Sequence, residues 1–123
     1  MTHHPSARIL LADDEAAIRF TMEILLRRQG YTITTATNGS EALALVEQQP
    51  FELLLLDLKM PGLSGLEVAQ RACELQPTAA ILILTGSTRI EGAPDEEGLD
   101  EFDYILKTAS PRDVLERVAA ILA

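Results

Sequence analysis

The stretch LLLLDLKMPG, at residues 53–62, decides the fold. Four leucines, Leu53 to Leu56, make an apolar run of strand length, which ends at Asp57 and is followed by the turn residues 60–62. A continuous apolar run, unlike an alternating one, is typical of a strand covered by helices on both faces, as in a parallel sheet. The stretch therefore predicts a buried central strand with an aspartate at its carboxyl end.

Strands and helices are predicted to alternate along the rest of the chain. Further apolar or β-branched runs predict strands at residues 9–12, 31–37, 79–84 and 102–106. Helical spacing and capping residues predict four helices: a first one ended by Gly30, a second from Asn38 to about Gln49, a third from Ser64 to about Gln76, and a last one from Ser110. This alternation predicts an α/β domain with a doubly wound parallel sheet and helices on both faces.

The length of 123 residues fits one domain. Residues 1–7 lack periodicity and are expected to form a flexible tail, which leaves residues 8–123 for the domain. The composition, 47% apolar and 24% charged, is that of a globular protein.

The charge excludes several classes of partner. A formal net charge of −9 argues against direct nucleic-acid binding and against anionic lipid, and no apolar run is long enough for membrane insertion. A single cysteine, Cys73, cannot form an internal disulfide, and we expect a cytoplasmic location. Residues 91–103 contain seven acids and no base, which indicates either a solvated loop or a recognition surface for a basic partner.

Polar residues follow four of the predicted strands at their carboxyl ends. They are Asp13 and Asp14 after the first strand, Asp57 after the third, Thr85 after the fourth and Lys107 after the fifth. Open parallel sheets bind ligands at this edge, so we expect the five side chains to share one pocket. Taken singly, such acids are commonly turn residues or helix caps, and Asp14 is a candidate cap for the first helix.

Three crowded carboxylates favour a cation, and their hard oxygen atoms favour Mg²⁺, Mn²⁺ or Ca²⁺ over zinc. A carboxylate at the end of a buried strand can attack a phosphoryl group. A bound cation, the Lys107 ammonium and the Thr85 hydroxyl would stabilise the charge on that group. The sequence places neither a histidine nor a second glutamate where it would evidently hydrolyse the phosphorylated aspartate. It therefore predicts a moderately long-lived aspartyl phosphate rather than enzymatic turnover.

These residues, together with Met60-Pro61-Gly62 and Gly86 after Thr85, resemble the receiver domain of two-component response regulators, over about Arg8 to Leu122. The resemblance implies a flavodoxin-like strand order of 2-1-3-4-5. It also implies that Asp57 is the phosphoacceptor and that a histidine kinase or phosphotransfer protein is the donor. The downstream protein partner is not identified by the sequence.

The resemblance assigns roles to the remaining site residues. Asp13, Asp14 and Asp57 would bind Mg²⁺, or Mn²⁺, with the backbone carbonyl of Lys59. Thr85 would be the switch hydroxyl and Lys107 the counter-ion of the phosphoryl group. Tyr104 would be the switch aromatic, although an ordinary edge-strand aromatic is the alternative.

Two features depart from the family pattern. Thr108 follows Lys107 where the family usually has a proline after a cis peptide, and we expect a trans peptide here because a cis bond before a residue other than proline costs about 3–4 kcal/mol. Residues 88–101, where the family's fourth helix belongs, are acidic and contain few helix formers. Both features lie on the face that resembles the family's output surface, so the partner interface is expected to differ.

Two other functions fit parts of the pattern. An aspartate-nucleophile phosphohydrolase generally has a second acid two residues after the nucleophile, but Lys59 occupies that position. A receiver-like scaffold that binds partners without phosphorylation is the second alternative. The sequence leaves open the oligomeric state and whether the chain is part of a longer protein.

Overall fold

The computed structural model describes residues 7–86 and 102–123. The strands are β1 (Arg8–Ala12), β2 (Thr32–Ala36), β3 (Leu53–Asp57), β4 (Ala80–Thr85) and β5 (Asp103–Leu106), and the helices are α1 (Ala16–Arg28), α2 (Gly39–Gln48), α3 (Gly65–Leu75) and α4 (Pro111–Leu122). Residues 88–101, for which the sequence predicted little helix, lie outside the described part of the chain.

The five strands form one parallel sheet in the order β2-β1-β3-β4-β5. This is the predicted order, with β3 at the centre between β1 and β4. The four leucines of β3 are completely buried, as expected for a strand covered on both faces. The predicted fold class is therefore confirmed.

Helices cover both faces of the sheet. On one face, Leu54 and Leu56 pack with residues of α2 and α3, including Val46 and Val68. On the other face, the alternate leucines of β3 pack with residues of α1 and α4, such as Leu26 and Val118. Because successive side chains of a strand point to opposite faces, the one leucine run contributes to both cores.

Three of the helices begin with the capping residues that the sequence predicts. Asn38 Oδ1 accepts a hydrogen bond from the backbone N–H of Glu41 at 2.8 Å. The Ser64 hydroxyl likewise caps α3 in a capping box, and the Ser110 hydroxyl caps α4. The start of α1 differs, because its N-cap residue is Glu15, not Asp14, and no side-chain cap is formed there.

The chain enters the fold at Ala7, which the sequence analysis assigned to the tail. Ala7 is 4% exposed, and its carbonyl accepts a hydrogen bond from the Thr32 N–H at 2.9 Å. Residues 1–6 lie outside the described part. In residues 7–86 and 102–123, none of the helices has the length and apolar character needed to cross a bilayer.

Candidate functional site

The carboxyl ends of β1, β3, β4 and β5 bring the predicted site residues to one edge of the sheet. Asp57 is the last residue of β3, opposite Leu84 of β4, and Thr85 is opposite Leu106 of β5. Asp13, Asp57 and Thr85 are all buried, at 0%, 3% and 3% exposure. These are the buried polar residues of the described chain, so the polar interior is concentrated at this edge.

The Asp13 carboxylate has one oxygen engaged and one without a hydrogen bond. Its Oδ1 accepts from the Glu15 N–H at 2.9 Å, whereas Oδ2 is buried and has no hydrogen-bond partner. The position of the residue is fixed through its backbone, since its carbonyl accepts from Arg19 Nη1 at 2.7 Å and its N–H donates to Ala36. The Lys107 ammonium lies 3.5 Å from this oxygen, but a buried anionic oxygen without a hydrogen bond is costly, and a bound divalent cation would reduce that cost.

Asp13, Asp14 and Asp57 each place a carboxylate oxygen within 4.8 Å of those of the other two. Asp14 is exposed, so the cluster is open to solvent on one side. Three hard oxygen donors with an open side suit Mg²⁺ or Mn²⁺, which retain several water ligands when bound. The acidic cluster, which includes the Asp13 oxygen that accepts no hydrogen bond, therefore fits a divalent cation.

The pKa of Asp57 is set by its surroundings. Burial, and then the negative charge of Asp13, raise the pKa of Asp57 to about 7, although the Lys107 ammonium acts in the opposite direction. Without a divalent cation, this carboxyl is therefore only partly ionised at neutral pH.

Lys107 brings one positive charge to this group of acids. Its Nζ lies 3.3 Å from Asp57 Oδ2 and 3.5 Å from Asp13 Oδ2, and it donates a hydrogen bond to Glu15 Oε1 at 2.7 Å. Burial lowers the pKa of Lys107, but the Glu15 hydrogen bond and the charges of Asp57 and Asp13 outweigh burial and raise it above its usual value. The ammonium therefore stays charged across the physiological range.

Glu15 is a site residue that the sequence analysis missed. No second glutamate was expected at the pocket, but the Glu15 carboxylate is the nearest described acid to the Lys107 ammonium. The signal for it is its position directly after Asp13-Asp14, at the same strand end. The sequence analysis assigned roles to Asp13 and Asp14 but gave none to Glu15.

The connection from β3 to α3 is held tightly against the site. The Leu58 N–H donates to the Leu84 carbonyl and the Gly65 N–H donates to the Leu58 carbonyl, each at 2.8 Å. Gly65 has no room for a side chain, because a Cβ there would lie 2.3 Å from the Asp57 carbonyl oxygen. Gly62 turns the chain with a φ of +77°, which glycine adopts without strain.

A cavity of about 470 Å³ opens beside the acidic cluster, and Asp14 and Lys59 are among its lining residues. The predicted role of the Lys59 backbone carbonyl as a metal ligand stays a prediction. Gly86 is exposed, and a Cβ there would meet no described atom within 4 Å.

Tyr104 lies on β5 opposite Ile83 and is 46% exposed. It belongs to β5, the edge strand of the sheet. The Lys107–Thr108 peptide is trans, as expected, since the described chain contains no cis peptide. The Lys107 side chain still reaches Asp57, and the backbone N–H of Lys107 donates to the Thr85 carbonyl at 2.8 Å.

Comparison with known proteins identifies relatives of this chain. It is 42% identical over 118 residues to the transcriptional regulatory protein ResD of Bacillus subtilis, with 94% of this chain and 48% of ResD covered. It is 33% identical over 115 residues to the response regulator receiver protein CpdR of Brucella abortus, with 94% of this chain and 96% of CpdR covered. The chain thus spans about half of ResD and nearly all of CpdR.

Solved structures show the same fold. A CheY-like response regulator receiver domain protein from Methanospirillum hungatei matches with a TM-score of 0.84 and 33% identity, over 95% of this chain and 94% of that one. The response regulator TrrA of Thermotoga maritima, solved with Mg²⁺ and BeF, matches with a TM-score of 0.81 and 35% identity, over 94% and 99% of the two chains. TrrA has also been crystallised in complex with the histidine kinase ThkA.

The family profile described as the response regulator receiver domain matches residues 9–119, which is nearly the whole chain. The strand order and the acidic edge of the sheet agree with this match. The chain belongs to the receiver domain family of two-component response regulators.

Proposed function

We propose that this chain is a phosphorylation-controlled signalling switch, in which Asp57 accepts a phosphoryl group from a histidine kinase, a phosphotransfer protein or a small phosphodonor. The main support is the geometry of one pocket. A buried carboxylate, Asp57, lies 3.3 Å from the Lys107 ammonium and beside an Asp13 oxygen that has no hydrogen-bond partner. This arrangement combines a nucleophile, a fixed cation and an incomplete metal site.

In the proposed step, a carboxylate oxygen of Asp57 attacks phosphorus and forms a new P–O bond. The bond from phosphorus to the donor nitrogen or oxygen breaks, and its electron pair leaves with the donor. Mg²⁺ or Mn²⁺, held by the three aspartates and the backbone carbonyl of Lys59, would supply positive charge to the phosphoryl oxygens. Lys107 supplies a second positive charge, and the Thr85 hydroxyl donates a hydrogen bond.

The conformational change would be relayed through Thr85 and Tyr104. Thr85 is buried at the end of β4, and its carbonyl accepts a hydrogen bond from the Lys107 backbone N–H. Tyr104 is on the neighbouring strand β5, and a half-exposed side chain there can change its position without opening the core. In this proposal Thr85 turns toward the phosphoryl group and Tyr104 responds.

The receiver family consists of phosphoacceptor switches rather than ordinary enzymes, and we extend this to slow self-dephosphorylation here. In the described part of the chain, Glu15 is the one glutamate at the pocket, and it accepts a hydrogen bond from Lys107. The described residues at the pocket therefore include no evident base that could activate water. The proposal includes a cytoplasmic location, in keeping with the single cysteine of the sequence. It also includes a protein as the downstream partner.

The direct test is the intact mass of the protein after incubation with acetyl phosphate and Mg²⁺. We expect one phosphoryl equivalent in the wild type and none in Asp57→Asn, because an amide oxygen is a poor nucleophile. Removing the metal with a chelator should also abolish uptake of the phosphoryl group.

The matched control is Glu74→Gln, an exposed acid on α3 whose substitution makes the same change in charge. This variant should be phosphorylated like the wild type. Uptake that persists in Asp57→Asn or in chelator would disprove the assignment. No uptake in any form, with the fold intact, would instead favour a scaffold that works without phosphorylation.

A further inference from the structure

The Lys107 ammonium lies nearest to a carboxylate at the rim of the pocket. Its Nζ is 2.7 Å from Glu15 Oε1, against 3.3 Å from Asp57 and 3.5 Å from Asp13. The Glu15 side chain is 58% exposed, whereas those of Asp57 and Asp13 are 4% and 0% exposed. The Lys107 side chain is itself only 16% exposed, so its ammonium lies between the exposed Glu15 carboxylate and the two buried acids, with Glu15 as its shortest contact.

The Glu15 side chain is not needed to start the helix that follows it. Glu15 occupies the N-cap position of α1, where a short polar side chain commonly accepts a hydrogen bond from the first turn. Its side chain forms no such bond and instead contacts Lys107, 92 residues away along the chain. Asp13 accepts a hydrogen bond from the Glu15 backbone N–H, so this end of α1 is anchored by another residue.

We propose that Glu15 is a positioning residue that holds Lys107 at the rim of the pocket in the unmodified protein, so that a phosphoryl group on Asp57 must compete with Glu15 for the ammonium. The inference rests on the proposed function and adds a regulator of it. A contact with an exposed carboxylate is weakened by water, which makes it easily released. A phosphoryl group carries more negative charge than the Asp57 carboxylate alone, and it would therefore draw the ammonium inward.

The test is a double-mutant cycle on the affinity for beryllofluoride with Mg²⁺, a mimic of the phosphoryl group. Affinities are measured by calorimetry for the wild type, Glu15→Gln, Lys107→Gln and the double variant. We expect Glu15→Gln to bind about two- to fivefold more tightly than the wild type, in keeping with the strength of a partly exposed ion pair. In the Lys107→Gln background, the same substitution should change the affinity little, because its effect acts through Lys107.

The control for net charge is Glu74→Gln, which should bind like the wild type. If Glu15→Gln raised the affinity equally in the wild-type and the Lys107→Gln backgrounds, its effect would be one of charge through space, and the inference would be overturned. Unchanged or weaker binding in Glu15→Gln would also overturn it. If the wild type itself does not bind beryllofluoride, the proposed function fails, and the competition proposed here fails with it.

A second measurement reports on the contact without any phosphoryl mimic. The chain contains two lysines, Lys59 and Lys107, so selectively labelled lysine gives two side-chain signals in an NMR spectrum. In metal-free protein, Glu15→Gln should shift the Lys107 signal, whereas Glu74→Gln, with the same change in charge, should leave it unmoved. An unmoved Lys107 signal would show that Glu15 does not hold the ammonium in solution, even where phosphorylation of Asp57 proceeds normally.

Discussion

At the scale of single residues, the buried Asp57 carboxyl makes the stability of the metal-free protein depend on pH. Its pKa is about 7 in the folded protein, against about 3.9 in an unfolded chain. Because the folded state binds this proton more tightly, the resulting stabilisation is fully present below about pH 4 and is lost as the pH rises through 7. At neutral and higher pH, the ionised Asp57 carboxylate beside Asp13 lowers the free energy of unfolding of the metal-free protein.

Asp57→Asn removes this cost, since the amide is neutral at every pH. In a chelating buffer at pH 8, we expect the variant to be more stable than the wild type in the free energy of unfolding, with about 4 kcal/mol as the upper bound set by the two pKa values. The difference should shrink as the pH is lowered toward 4, where the wild-type carboxyl is protonated in the folded state. Urea unfolding at several pH values measures it. A difference that does not vary with pH would contradict the electrostatic explanation.

The residues of the site were largely predictable, but their pairing was not. Asp13, Asp14, Asp57, Thr85 and Lys107 were identified because each follows a strand, and a parallel sheet collects such positions at one edge. The contact between Glu15 and Lys107 depends on side-chain conformations across 92 residues of sequence, for which no local pattern exists.

At the scale of helices and strands, local signals were the most reliable. Asn38, Ser64 and Ser110 each begin a helix in the structure as in the sequence, because a cap acts over only three or four residues. The packing of the α3 start against β3 was not predictable in this way. Gly65 approaches the Asp57 carbonyl through the folded connection, and a glycine after a capping serine gives no sign of it.

Gly65→Ala tests this close approach. Alanine is ordinarily the better helix former, but its Cβ would lie 2.3 Å from the Asp57 carbonyl oxygen and 3.0 Å from the Leu58 Cα, both backbone atoms. We therefore expect a loss of about 2–3 kcal/mol in the free energy of unfolding, the usual cost of overpacking. Urea unfolding measures the loss, and phosphoryl uptake should fall because Asp57 is displaced.

Gly86→Ala is the matched control, since the same added methyl group would meet no described atom within 4 Å. Its free energy of unfolding should stay within about 0.5 kcal/mol of the wild type, as for most surface substitutions. If the two alanine variants were equally stable, the α3 start would not be packed against β3 as tightly as the structure indicates.

At the scale of the whole molecule, the topology was predictable from the order of strands and helices along the chain. The net charge determines how the protein responds to cations. The apolar run of β3 predicts helices on both faces, and both faces are covered. The net charge of −9 predicts a general stabilisation by salt, because screening reduces self-repulsion. A metal centre at Asp13, Asp14 and Asp57 would add a specific stabilisation that screening cannot supply.

Mg²⁺ and Na⁺ separate these two contributions when they are compared at equal ionic strength. A ligand that binds only the folded state stabilises it by about 1.4 kcal/mol at ten times its Kd, so MgCl₂ should raise the Tm beyond the shift produced by NaCl. Asp14→Asn should reduce the extra Tm shift produced by MgCl₂, because it removes one of the three carboxylates. Without metal, the same substitution should raise the Tm slightly, because it reduces repulsion in the cluster. Glu74→Gln changes the net charge equally but lies on α3 outside the cluster, so it should retain the full extra shift. Equal shifts from the two salts in the wild type would mean that the acids act only through the overall charge, and the cluster would then not be a metal centre.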